Sequence, residues 1–420
     1  MVQIYIWHNG KYRMRILMIT QLFQPEPNHL KGLAFAKELV RQGHEVEVLT
    51  GFPNYPGGQI YPGYRQRIWQ RETTDGISII RVPLYPDHSS SGLRRILCYI
   101  SLAFSASIPG LFLVRKPDVV HVYQGPATLA LPAIILRLLR KVPYVLDVQD
   151  LWPESVTSSG MLKSRFLTSA LTKWCDFANR LAAKIVVLSP GYKETLINRG
   201  VSATKVDIVY NWCDESQVHK TDGVTVSVDH LGFEGRFSVV YAGNLGRVQA
   251  LDSVLEAAEL LSNDYPDVIF VFVGDGVDAL RLKELANAKK LKNVLFVPRQ
   301  PVSEIGSILR RAAALLIHLQ DDPLCRVGIP QKTQAYLAMG RPLIAAVRGN
   351  AASLVEESKA GVTCEPTNPE SIAAAVIRLR NMPENERAGM GNNGLKYYEE
   401  YLSFSVGVQK MNELLSEAAS

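Results

Sequence analysis

Cysteine pairs, histidine clusters and long apolar runs are what this chain has least of. Its five cysteines, Cys98, Cys175, Cys213, Cys325 and Cys364, are odd in number and scattered, with none at metal-ligand spacing. That excludes a disulfide framework and points to a reducing compartment. The eight histidines form neither HxxxH nor HExxH, so no zinc site is legible and no metal or other cofactor is expected. The GxGxxG dinucleotide fingerprint is missing, as are solenoid-period repeats and low-complexity tracts. The opening MVQIYIWHNGKYR lacks the charged-then-apolar order and small-residue cleavage site of a signal peptide. Because the first clean strand follows directly, Met14 is an alternative start.

One charge-free run, 96–114, is 19 residues long and approaches the length of a membrane span. It contains Ser101, Ser105, Ser107, Pro109 and Gly110, and positive charge lies on both sides of it, Arg94-Arg95 and Arg115-Lys116. These features favour a buried or interfacial helix over a span.

With 420 residues and 47% hydrophobic content, the chain is long enough for two or more domains. Its net charge of +6 is unevenly spread: residues 1–215 carry 25 basic and 16 acidic side chains, +9, and the remainder −3. A basic first half suits an anionic partner. The basic residues are dispersed and no reader motif accompanies them, so nucleic acid fits poorly and an anionic membrane surface fits better.

Short buried strands alternate with helices. The periodicity predicts strands at 15–20, 45–49, 119–122, 144–148, 183–188 and 206–210, with helices at 30–42, 129–139 and 191–199 between them. The polar, irregular stretch 214–236 reads as a linker. A second series follows, with strands at 237–242, 268–273, 294–297, 315–318 and 343–347. Two doubly wound parallel sheets in tandem are expected, each binding ligands beyond the carboxyl ends of its strands, with the two facing a cleft. The expected limits are 14–215 and 236–395, with a helix at 396–420 packing back across both.

The stretch GIPQKTQAYLAMGRPLIAA, 328–346, puts Pro330 before a short helix and Gly340 at its end. Lys332 stands in the first turn, where the helix dipole prefers anions. A bound phosphate resolves that conflict, although a solvated surface lysine has about equal weight from this segment alone. The second series opens with YAGNLGRVQALD, so that Gly243, Asn244, Leu245, Gly246 and Arg247 link a strand to a helix. Gly274 repeats that logic in VFVGD. Such a turn is structural about as often as it binds. In LDVQDLWPES, Asp150 follows a strand end, where either a catalytic or sugar-hydroxyl-binding carboxylate or the N-cap of a following turn belongs. His121 closes another strand, and a lone histidine there is more often a hydrogen-bonded core residue.

These segments, with MRILMITQLFQPEP, LVRQGHEVEVLTGFPNYPGG and PDVVHVYQGP, resemble in order the family 4 glycosyltransferases of GT-B fold, over nearly the whole chain from Met14. The FPNYPGG loop and DLWPES turn are most similar to bacterial O-antigen and capsule transferases of the L-fucosamine (N-acetylfucosamine) type. The resemblance implies a retaining transferase that works without a metal on a nucleotide-sugar donor, UDP-linked in this branch. It implies a lipid-diphosphate-linked saccharide as acceptor, and a cytoplasmic protein held peripherally on the inner face of the membrane. Donor contacts would fall on Gly243–Gly246, Arg247, Gly274, Arg326, Gln331 and Lys332, and the catalytic candidates are Asp150 and His121. The sequence departs from the family where many relatives carry paired glutamates, here Val327 and Ala335. It departs again at Gln249, where a basic residue is expected, and at Gln149, where many relatives carry a catalytic histidine. Two other readings remain open: a UDP-N-acetylhexosamine 2-epimerase, and a non-catalytic sugar-nucleotide-binding assembly partner.

Overall fold

The computed structural model describes residues 7–8, 11–28, 30–89, 91–158, 160–162, 164–215 and 235–420. They form two compact units, Met1–Tyr210 with Gly407–Ser420, and Asn211–Val406. Most of the expected linker, 216–234, lies outside the described residues.

The first unit is an eight-stranded sheet. Its strands are β1 (Arg15–Thr20), β2 (Glu45–Gly51), β3 (Gln70–Thr74), β4 (Ile77–Val82), β5 (Val119–Gln124), β6 (Tyr144–Val148), β7 (Lys184–Val187) and β8 (Val206–Ile208). Across the sheet they run β8-β7-β6-β5-β1-β2-β4-β3, parallel except for β3. The helices are α1 (Leu33–Arg41), α2 (Gly92–Phe112), α3 (Ala130–Arg140), α4 (Glu154–Ser158), α5 (Arg165–Leu181) and α6 (Pro190–Asn198). Residues such as Leu17, Met18, Val48, Val120 and Leu146 are wholly buried, as covered parallel strands require. Strand order reverses between β1 and β5, the switch point where ligands bind in such sheets.

The second unit is a six-stranded parallel sheet. It is built from β9 (Phe237–Ala242), β10 (Val268–Val273), β11 (Val294–Val297), β12 (Ala314–His318), β13 (Leu343–Ala346) and β14 (Gly361–Cys364). The spatial order is β11-β10-β9-β12-β13-β14, which puts the switch point between β9 and β12. Its helices are α7 (Asp252–Leu261), α8 (Ala279–Ala288), α9 (Val302–Arg311), α10 (Pro323–Val327), α11 (Gln331–Ala338), α12 (Asn350–Glu357), α13 (Pro369–Asn381) and α14 (Glu384–Tyr397). A π-helical turn, Tyr398–Leu402, precedes α15 (Phe404–Ala419), and from Gly407 the chain belongs to the first unit. There Asn412 reaches Gln42 and Glu417 reaches Lys184, both at 2.8 Å.

Candidate functional site

The most informative group in the second unit is assembled where α11 meets the end of β9. Ala242 donates its amide to the Tyr336 hydroxyl at 2.7 Å, and that hydroxyl donates back to the Ala242 carbonyl. The second turn of α11 is thereby fixed against the end of β9. Lys332, the second residue of the helix, extends its ammonium to 3.5 Å from the centroid of the Tyr241 ring. The same Nζ would lie 3.3 Å from a Cβ placed on Gly243, so glycine there makes room for the cation. Lys332 Nζ is buried and has no hydrogen-bond partner among the described residues, as is the neighbouring Thr333 hydroxyl. Burial pushes the Lys332 ammonium down to about 7. The backbone N–H groups of Gln331 and Lys332 also have no acceptor among the described residues. Unmet donors at a helix start and a buried cation beside them are groups that an anion would satisfy.

The loops around it are packed backbone to backbone. Gly243 and Gly274 sit at φ +139° and +142°, and a Cβ on Gly274 would come within 2.0 Å of the Gly243 carbonyl oxygen. On Gly276 it would meet the Leu245 carbonyl oxygen at 2.4 Å. Glycine therefore lets the loops after β9 and β10 touch. His318, at the end of β12, is fully buried. Its Nδ1 bonds the Gln249 carbonyl at 2.7 Å, while Nε2 accepts from the Thr367 amide and pairs with the Ser253 hydroxyl. Burial, reinforced by the nearby Lys332 charge, lowers this imidazole to about 4, so it is neutral.

The first unit holds a different cluster at its switch point. Asp147 on β6 is fully buried and accepts from Gln149 Nε2 at 2.6 Å on one oxygen. Its other oxygen meets His121 Nε2 at 3.1 Å and Lys31 Nζ at 3.4 Å. Burial opposes ionisation of Asp147 most strongly, yet Lys31, His121 and Gln149 together hold the carboxyl below its ordinary value. Asp150, three residues on, is exposed, and its carboxylate has no hydrogen-bond partner among the described residues. Desolvation by the surrounding protein raises its carboxyl above the usual range. Elsewhere in the first unit, the FPNYPGG loop is held by a buried Glu26 carboxylate, which accepts from the Asn54 and Tyr55 amides at 2.8 Å.

Two adjoining family models account for most of this chain: a glycosyl transferase 4-like domain over residues 33–212 and glycosyl transferases group 1 over 227–397. The protein is a family 4 glycosyltransferase of GT-B fold. Among its relatives, a proposed colanic acid biosynthesis glycosyl transferase, WcaI, of Escherichia coli (strain K12) is 27% identical over 391 residues, 87% of this chain and 91% of that one. A proposed glycosyltransferase of Pseudomonas aeruginosa, WbjE, is 24% identical over 333 residues, 78% and 82% of the two chains. Among solved structures, Anabaena HepE in complex with UDP superposes with a TM-score of 0.69 at 16% identity, covering 96% of this chain and all of that one.

Set on this glycosyltransferase, the sequence-derived residues divide. Lys332, Gly243, Gly274 and the start of α11 at Gln331 come together. Arg247 is exposed just past the loop, its carbonyl accepting from the Ala250 amide and its guanidinium without a hydrogen-bond partner among the described residues. Of the GNLG amides, Gly243 donates to Val273, Leu245 to Asp275 and Gly246 to Gln249 Oε1, leaving Asn244 alone without an acceptor among the described residues. The expected amide cradle is therefore largely spent on closing the loop. Leu245 offers a ligand neither its amide nor its side chain, which lies in the core. Arg326 forms a two-pronged ion pair with Asp321 at 2.6 and 2.8 Å, so its charge is met within the unit. His121, expected to close its strand, lies inside it instead: β5 runs on to Gln124, and His121 is fully buried and bonded to Asp147. Tyr241, Tyr336, Thr333 and His318 escaped sequence reading because aromatic and apolar periodicity marks them as core. Only the strand-end position of His318 carried a signal.

Proposed function

We propose that this glycosyltransferase moves an N-acetylated deoxyamino sugar, such as N-acetyl-L-fucosamine, from a UDP-sugar to a polyprenyl-diphosphate-linked saccharide, with retention and without a metal. The setting is assembly of O-antigen or capsular polysaccharide, by a cytoplasmic protein peripheral on the inner membrane. The observation that carries the reading is the buried Lys332 ammonium beside Gly243 at the start of α11, which has no hydrogen-bond partner among the described residues. A diphosphate seated there restores the lysine's charge and accepts from the helix N-H groups. As the C1–O bond to the β-phosphate breaks, the developing negative charge is met by groups already in place. The acceptor hydroxyl then bonds C1 on the face the diphosphate left, and its proton passes to that leaving group. Positive charge builds at C1 as in glycosidases, and the reading assigns Asp150 to the sugar and acceptor side. The UDP in the HepE complex and the polysaccharide context named for WcaI support this reading.

The test is incubation with a panel of UDP-sugars and a lipid-diphosphate acceptor, alongside calorimetric titration with UDP, GDP and ADP. Sugar transfer that Asp150→Asn abolishes, with UDP affinity unchanged, is the expected result. Conversion of the UDP-sugar without acceptor would identify an epimerase, and UDP binding with no turnover across the panel would identify an assembly partner.

A further inference from the structure

Helix α2 has two unlike faces. One carries Cys98, Leu102, Ala106 and Gly110 into the core of the first unit, where α2 packs on β2, β4 and α3. The other carries Leu93, Leu97, Ile100, Phe104, Ile108 and Phe112, spaced three or four residues apart and all exposed. The last three are 65%, 66% and 74% exposed. Leu138 and Leu139 of α3, the helix packed beside it, add two more exposed apolar side chains. Single exposed leucines are ordinary, but a continuous apolar stripe along a 21-residue helix marks a contact surface.

The ends of the stripe say what covers it. Arg94 and Arg95 stand at its start and Arg115 and Lys116 just past its end, and no acidic residue occurs from His88 to Pro117. A second copy lying antiparallel on this face would bring like charges together at both ends. An anionic bilayer instead offers phosphates to the cations and acyl chains to the stripe. By length and composition α2 could cross a membrane. Crossing would require its inner face to leave the core, and the Ser105 hydroxyl, bonded to the Pro83 carbonyl, further ties it to the end of β4. An amphipathic helix so held lies in the plane of the interface. Its N-terminus follows the 83–91 segment, where His88 Nε2 meets Asn54 Oδ1 at 2.9 Å, so the stripe begins beside the strand-end loops.

We propose that the outer face of α2, with Leu138 and Leu139, seats this protein in the headgroup layer of an anionic bilayer. The proposal gives the membrane of the proposed function a surface on this chain and rests on that reading only for its setting. The test is co-sedimentation of the full chain with phosphatidylcholine vesicles, with and without phosphatidylglycerol. Binding is expected only with phosphatidylglycerol, weakening as salt rises, and falling about tenfold or more in Phe104→Glu/Ile108→Glu. Arg115→Gln/Lys116→Gln should weaken binding to phosphatidylglycerol vesicles, most of all at low salt, and so flatten its salt dependence. UDP affinity and circular dichroism, unchanged in both variants, would show that the fold is intact. Wild-type protein that stays in the supernatant would overturn the proposal, as would a glutamate variant that pellets normally. So would a wild-type dimer that the glutamate variant dissociates, since the stripe would then belong to a second copy. Vesicle binding without UDP binding would sink the donor reading and leave this one standing.

Discussion

Lys332 combines a buried charge with an unmet hydrogen-bonding capacity. In the unliganded fold its ammonium titrates near 7, against an ordinary value of 10.5, because burial disfavours the charged form. The unfolded chain therefore binds more protons than the folded one between those values, and this residue's contribution makes stability rise with pH across that window. An anion bound beside it must raise the pKa again. UDP binding at pH 8 should therefore take up close to one proton, and affinity should fall as pH climbs above 7. Calorimetry in buffers of different ionisation enthalpy reads this directly. Lys332→Met should weaken UDP by about 10- to 100-fold, the equivalent of roughly 1.5–3 kcal/mol for a charge-assisted contact. The same variant should raise the melting temperature of the unliganded protein at neutral pH. Equal proton uptake by wild type and variant would remove Lys332 from the donor site. The lysine was legible from helix punctuation alone, whereas Tyr241 and Tyr336 were not, since buried aromatics in a strand and a helix read simply as core.

At the scale of elements, two glycine loops are shaped more by each other than by a ligand. The sequence pattern invites a phosphate cradle, but the Gly243, Leu245 and Gly246 amides are occupied. The glycines at 274 and 276 allow backbone to touch backbone. Gly274→Ala places a Cβ 2.0 Å from the Gly243 oxygen at a φ of +142°. It should cost at least about 1–3 kcal/mol in urea unfolding and weaken UDP binding by displacing Gly243 from Lys332. If that variant kept wild-type stability, the close approach of the loops would be wrong. Polar edge elements were the least legible. Strand β3, QRETT, has too little apolar alternation to announce itself, and it is held by antiparallel pairing with β4. Strand β14, GVTC, begins with a glycine that its neighbour requires, since a Cβ on Gly361 would lie 2.0 Å from the Leu343 oxygen.

Over the whole molecule, the chain passes from one unit to the other after Tyr210 and returns at Gly407. The returning segment buries Val408, Met411 and Leu415 completely. Truncation after Val406 should destabilise the first unit by several kcal/mol, on the order of 2–5 for each large side chain lost from a core. Thermal scanning with limited proteolysis of the first unit would detect it, and an unchanged melting profile would mean the segment is ornamental. Much of this architecture was legible because periodicity is local. Apolar residues spaced for strand or helix record which face is covered, and the alternation of the two dictates parallel, doubly wound sheets. Lys332 and Asp150 stood out for the same reason, as polar residues at element ends. What a buried group pairs with depends on residues brought from elsewhere in the chain. Only the tertiary structure gave His121 to Asp147, Arg326 to Asp321, the loop amides to neighbouring carbonyls, and one apolar face of α2 to the outside. Competition among partners distant in sequence decides each of these, and local periodicity carries no record of it.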